Sequence, residues 1–131
     1  MKLRTSIAKV LLLSSTILTF ICVLLYYYVF NIYEVEIISI PTVVFADPSS
    51  QITVRIKPIN ALGWEVPFRN ASGRFIITEG RDKVELINFN EEEGFLTLRS
   101  IGVVGEVGIY VESELSLFPS YIKIQFLPKS V

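Results

Sequence analysis

The fold class this sequence predicts is all-β: an antiparallel sandwich of about seven or eight short strands behind one N-terminal transmembrane α-helix. Three observations carry it. Residues 10–30 are a largely apolar run unbroken by charge, Pro or Gly, period-two alternation recurs through the chain after residue 33, and nothing beyond residue 30 has a helical period. At 131 residues the chain has room for one modest domain beside the apolar run. Hydrophobic residues make up 51% against 19% charged, which excludes intrinsic disorder.

The apolar run comes first. Val10 to Phe30 holds no charge, Pro or Gly, and at helical rise its 21 residues span about 31 Å, the thickness of a bilayer core. Lys2, Arg4 and Lys9 precede it and no acid appears before Glu34, so the positive-inside rule places residues 1–9 in the cytoplasm, residues 10–30 across the cytoplasmic membrane and residues 31–131 outside. Tyr26, Tyr27, Tyr28 and Tyr33 form an aromatic belt at the outer interface. A cleaved secretory signal would need a shorter apolar region and a small-x-small site just after it. Val44-Phe45-Ala46 has those letters but ends sixteen residues beyond Phe30, inside an expected strand. A lipid anchor at Cys22 would need small residues before it, and Phe20-Ile21 are bulky. A prepilin-type signal would need a Gly at the junction and an early acid, and has neither. A permanent signal anchor is therefore expected.

The exterior part reads as strands over 34–40, 51–57, 64–68, 74–78, 83–89, 95–99, 106–112 and 121–127. In Gln51 to Lys57 the inward set is Ile52, Val54 and Ile56; Val107, Ile109, Val111 and Ile122, Ile124, Phe126 repeat it. Between the runs stand Pro41, Asp47-Pro48-Ser49-Ser50, Pro58, Gly63, Gly73, Gly80, Gly94, Gly102, Gly105 and Pro119, where turns belong. Glu91-Glu92-Glu93, bounded by Asn90 and Gly94, is expected at a hairpin tip, and Gly102-x-x-Gly105-x-x-Gly108 is read as another hairpin.

From Glu34 to Leu127 the chain resembles bacterial immunoglobulin-like domains of the invasin and intimin type. The resemblance rests on Ala46-Asp47-x-Ser49 before a strand, Ile52-x-Val54 leading to Gly63-x-x-Val66-x-Phe68, Gly94-Phe95 opening a strand that ends at Ser100, and Gly105-x-x-x-Ile109. Pro48 stands where that family usually has Gly. The resemblance implies an immunoglobulin-like sandwich serving as spacer or adhesive module, with no shared catalytic residue to carry over. In layout alone, with no motif behind it, one membrane helix plus one sandwich is also similar to the small stator-type proteins of the archaeal motility filament.

Composition removes much chemistry. Histidine is absent and Cys22 is the only cysteine, which excludes Ser-His and Cys-His catalysis, His or Cys zinc sites and intrachain disulfides. All 13 acids lie beyond residue 33 with nine of the 12 basic residues, leaving the exterior part at −4 and disfavouring a nucleic-acid role. The glycine triplet lacks the order, the Lys-Ser/Thr pair and the following helix of a phosphate loop. Glu91 to Glu93 with Asn88, Asn90 and Asp82 lack an alternating acidic ladder for calcium, and no insertion builds a cleft for carboxylate-based glycosidase chemistry. No catalytic, cofactor or metal residue is assigned.

Candidate contacts remain. Asn70-Ala71-Ser72 is an N-x-S sequon as well as good turn chemistry. Trp64 is expected between the sheets, with an exposed partner anchor as the alternative. Leu115, Leu117 and Phe118 fall in a loop, either plugging the core or forming an apolar contact for a partner or the bilayer surface. Ser15, Thr19 and Cys22 share one helix face, small and polar, suited to packing against another membrane helix unless the hydroxyls bond carbonyls of their own helix. The expectation is a non-enzymatic, single-pass accessory or assembly subunit of a membrane or cell-envelope complex, needing no cofactor, with self-association as an option. A filament or pilus-type subunit or a surface adhesion module is the alternative.

Overall fold

The computed structural model describes residues 2–130. Helix α1 (Lys2–Phe30) begins eight residues before the expected span. Lys and Arg are good helix formers, so the basic N-terminal segment continues the spiral. At 29 residues the helix is about 43 Å long, more than a bilayer core needs. It is apolar enough to cross a membrane, and none of it is buried against the rest of the chain.

Eight strands follow: β1 (Glu34–Ile40), β2 (Val44–Phe45), β3 (Gln51–Ile59), β4 (Arg74–Glu79), β5 (Val84–Asn90), β6 (Phe95–Ser100), β7 (Gly105–Glu112) and β8 (Ser120–Leu127). They form two four-stranded sheets, ordered β1-β3-β6-β5 and β2-β8-β7-β4. All pairings are antiparallel except that of β2 with β8, which is parallel. Leaving aside the short β2, this is the four-plus-three strand arrangement of a constant-type immunoglobulin domain. The fold is an immunoglobulin-like β-sandwich.

Alternation explains the core. In β3 the burial pattern is strictly in-and-out from Gln51 to Lys57, and Ile52, Val54 and Ile56 join Leu98 of the neighbouring β6 and Val107, Ile109, Val111 and Phe126 of the other sheet in one buried cluster. Each such side chain contributes roughly 1.5–3 kcal/mol by leaving water. On the outer face of β3 and β6, the Thr53 and Thr97 hydroxyls pair at 3.0 Å.

Three expectations are corrected. Residues 64–68 are not a strand: a single bridge joins Glu65 to Ile59. Pro67 offers no N–H to a ladder and Phe68 has φ 58, so only Val66 turns inward. Trp64 is accordingly not between the sheets but 63% exposed. The Gly102–Gly105 stretch is no hairpin either, because it carries the chain from β6 in one sheet to β7 in the other.

Candidate contact surfaces

The first surface is where α1 meets the sandwich. A helix end leaves carbonyls without intrahelical partners, and the domain supplies donors. Asn60, buried at the end of β3, donates from Nδ2 to the Val29 carbonyl at 3.0 Å, and Arg69 Nη1 donates to the Phe30 carbonyl at 3.2 Å. A guanidinium is well placed at the negative end of the helix dipole. Tyr33 N–H donates to Ile59 O at 2.8 Å, so only residues 31–33 separate helix from sheet. The tyrosine belt lies here, with the Tyr26 and Phe30 rings stacked at 4.9 Å.

Asn60 also builds the turn that follows. Its Oδ1 accepts from the N–H groups of Leu62 and Trp64, each at 3.0 Å, and its own N–H donates to Trp64 O at 2.8 Å. This closes a tight turn through Gly63, at φ 82, and holds Trp64 outward. Nothing in the sequence marks Asn60, because its partners lie 31 residues back and in a turn with no standard motif.

The loop 113–119 joins β7 to β8. Leu117 is 95% exposed and Phe118 78%, so neither plugs the core; Leu115 is also exposed. The loop is pinned by Ser113 Oγ donating to Ser72 O at 2.8 Å and by Ser116 Oγ donating to Phe118 O at 2.8 Å.

A second surface is the open side of the sandwich. Strands β4 and β5 are edges of different sheets, and between them runs a cleft of about 270 Å³ lined by Phe75, Ile77, Val84, Leu86, Phe89 and Leu96 together with the charged Arg81 and Glu91. Leu86 and Phe89 are exposed on β5, whose ladder with β6 shifts register between Leu86 and Asn88. Such bulges twist and interrupt an edge. The reading of residues 83–89 as a half-buried strand located β5 but did not reveal that most of it faces solvent.

The remaining candidates are spread out. Asn70 is exposed, beside the fully buried Ala71. Glu91 to Glu93 do cap the β5–β6 hairpin, where Asn90 Oδ1 accepts from the N–H groups of Glu92 and Glu93, but Asp82 lies at the other end of β5. Among the described residues no three His, Cys, Asp or Glu side chains stand together as a metal site. On α1 the Thr19 hydroxyl donates to Ser15 O at 2.9 Å, a bond within the helix, while Ser15, Thr19 and Cys22 all lie exposed. Asp47 is held down to about 2 by Lys129 Nζ, 2.6 Å away, and by the N–H and hydroxyl of Ser49. Hydrogen bonds from Lys123 and Gln125 lower the Glu106 carboxyl on the outer face of β7 and β8.

No family model and no curated protein sequence matches the chain. Among solved structures, a glycosyl hydrolase family 2 member from Bacteroides cellulosilyticus is similar at a TM-score of 0.53 and 14% identity, over 73% of this chain and 14% of that one. The D00-D0 domain of intimin gives 0.48 at 19% identity, over 74% of this chain and 50% of that one. The Yersinia pseudotuberculosis adhesin InvE gives 0.44 at 17%, over 72% and 26%. The chain thus spans a small part of the hydrolase and half of the intimin fragment, and at these identities the likeness is one of fold, an immunoglobulin-like sandwich.

Proposed function

We propose that the protein is a non-enzymatic, single-pass membrane protein, anchored by α1 with its N-terminus in the cytoplasm, that presents its sandwich outside the membrane as an accessory or assembly subunit of an envelope complex. The observation carrying this reading is the cleft between the free edges of β4 and β5, apolar in six of its eight lining residues, with Arg81 and Glu91 as the other two. A free edge offers backbone donors and acceptors to an added strand, and alternate side chains of that strand would fill apolar pockets. Phe75, Ile77, Leu86 and Phe89 supply such a pocket beside two such edges. The Ser15, Thr19 and Cys22 face of α1 is a further contact, within the bilayer, since small and hydroxylic residues allow close helix approach.

A photo-cross-linking residue placed at Leu86 or Phe89, in the full chain in its own membranes, should yield a discrete adduct with another membrane protein. The same residue at Gln125, on the outer face of β8, should yield none. Adducts of equal yield at all three positions, or none at any, would remove the cleft from the function. A ladder of adducts between copies would favour the filament-type or adhesive reading.

A further inference from the structure

We infer that the end of the sandwich nearest α1 docks on the bilayer surface, with Trp64, Phe68, Leu117 and Phe118 inserted at the lipid interface. Strand direction places these residues together. Chain entry at Glu34 lies opposite Ile59 at the end of β3, Arg55 pairs with Phe95, Arg74 with Glu112, and Val111 with Ser120. The connections 60–73, 91–94 and 113–119 therefore all emerge at the end where the helix enters. Two further bonds tie them there, Gly73 N–H to Glu91 O at 2.9 Å and Ser113 Oγ to Ser72 O.

What this end exposes is unusual for a protein surface in water. Phe68 is fully exposed, Leu117 95%, Phe118 78%, Tyr33 75% and Trp64 63%. Phe68 is moreover held at φ 58, a conformation that costs energy for a bulky side chain, and its ring lies fully exposed. Strain at an exposed aromatic residue is understandable where a second phase receives the ring. Continuity with α1 identifies that phase. Arg69 grips the last helical carbonyl, and Phe68 and Pro67 line one recess with Tyr26, Tyr27 and Phe30 of the aromatic belt. A ring standing beside the belt of a spanning helix stands at the level where Trp and Tyr prefer to sit. Glu91, Glu92 and Glu93 lie at the same end and would repel anionic headgroups, so the docking is apolar and independent of anionic lipid.

This inference rests on α1 spanning the bilayer, and the experiment separates the two. Trp64 is the only tryptophan, so its emission reports this end alone. The full chain is reconstituted in phosphatidylcholine vesicles with and without brominated acyl chains. Expected are retention through alkaline carbonate, blue-shifted Trp64 emission, quenching by the brominated lipid, and several-fold protection from aqueous acrylamide. In a Trp64→Phe, Val103→Trp variant, whose reporter lies at the opposite end between β6 and β7, emission should be quenched from water only. Replacing Phe68, Leu117 and Phe118 by Ser should return Trp64 to water. A carbonate-resistant chain whose Trp64 is quenched from water like position 103 would overturn the docking and leave the span intact. Loss of the chain to carbonate would overturn both. Protection that vanishes on dilution of protein in lipid would assign this end to a second copy and overturn the inference.

Discussion

Replacing Asn60 by Ala should separate the two tasks of one side chain. Asn60 is 2% exposed and makes three side-chain hydrogen bonds: Nδ2 to Val29 O, and Oδ1 from the N–H groups of Leu62 and Trp64. Each bond is worth about 1 kcal/mol net, and a partly buried N–H left without an acceptor costs about 1–3 kcal/mol. The full chain should therefore lose roughly 2–4 kcal/mol, a fall in Tm of at least about 8 °C at 4–8 °C per kcal/mol. In a chain starting at residue 31 the bond to Val29 is already gone, and the same substitution should cost about 1 kcal/mol less. That shortened chain keeps the whole buried cluster, which begins at Val44 and ends at Phe126. Thermal melts followed by near-ultraviolet circular dichroism, in detergent for the full chain, measure both. Equal losses in the two chains would refute the helix bond, and a loss below about 0.5 kcal/mol in the shortened chain would refute the role of Asn60 in the turn.

Four further outcomes are expected. Leu117→Ser with Phe118→Ser should leave the melting of the shortened chain within a few degrees, because both side chains are exposed, whereas a buried pair would cost ~2–5 kcal/mol. The folded Asp47 carboxyl lies near 2, below its unfolded value, so its contribution is complete above about pH 4 and is lost as pH falls toward 2; Asp47→Asn should flatten the Tm-against-pH curve over that interval. Phe68→Gly relieves a left-handed conformation costing roughly 1–2 kcal/mol while adding about 0.5–1 kcal/mol of unfolded-chain entropy, so urea unfolding should show unchanged or slightly higher stability, and a clear loss would mean the ring is packed. Replacing Ser15, Thr19 and Cys22 by Leu should weaken co-purification with membrane partners or self-association in a membrane two-hybrid assay, whereas Leu13, Ile17 and Leu24 to Ala should not; equal behaviour would refute the packing face.

Seven of the eight strands were legible, within one or two residues at each end, because a half-buried strand must alternate and the alternation is written in the residues. The missed strand, β2, has two residues, too few for any period, and it pairs with β8 after the chain has crossed from the sheet of β1 to the other sheet. Residues 64–68 misled for the opposite reason: Trp64, Val66 and Phe68 alternate, but Pro67 and the left-handed Phe68 cannot hold a ladder. The loop 113–119 was legible as an anomaly, apolar letters where a turn belongs, and its exposure shows that Leu117 and Phe118 do not fill the core. Asn60 and the β4–β5 cleft were not legible, because both arise where segments distant in sequence come together.

With α1 as the proposed anchor, its place limits what can reach the cleft. Residues 31–33 span about 10 Å even when extended, and the strands of the sandwich run about 27 Å for eight residues. In the proposed orientation, with the helix end of the sandwich on the bilayer, the β4–β5 cleft opens sideways and lies within about 40 Å of the lipid. A distant ligand on another cell would meet the opposite end, where Ile101, Val103 and Val104 are exposed, and not the cleft. An occupant of the cleft must itself rise from the same membrane or be held close to it. That restriction favours a neighbouring subunit over a surface receptor, and it makes lateral cross-linking from β5 the sharper test of the two roles.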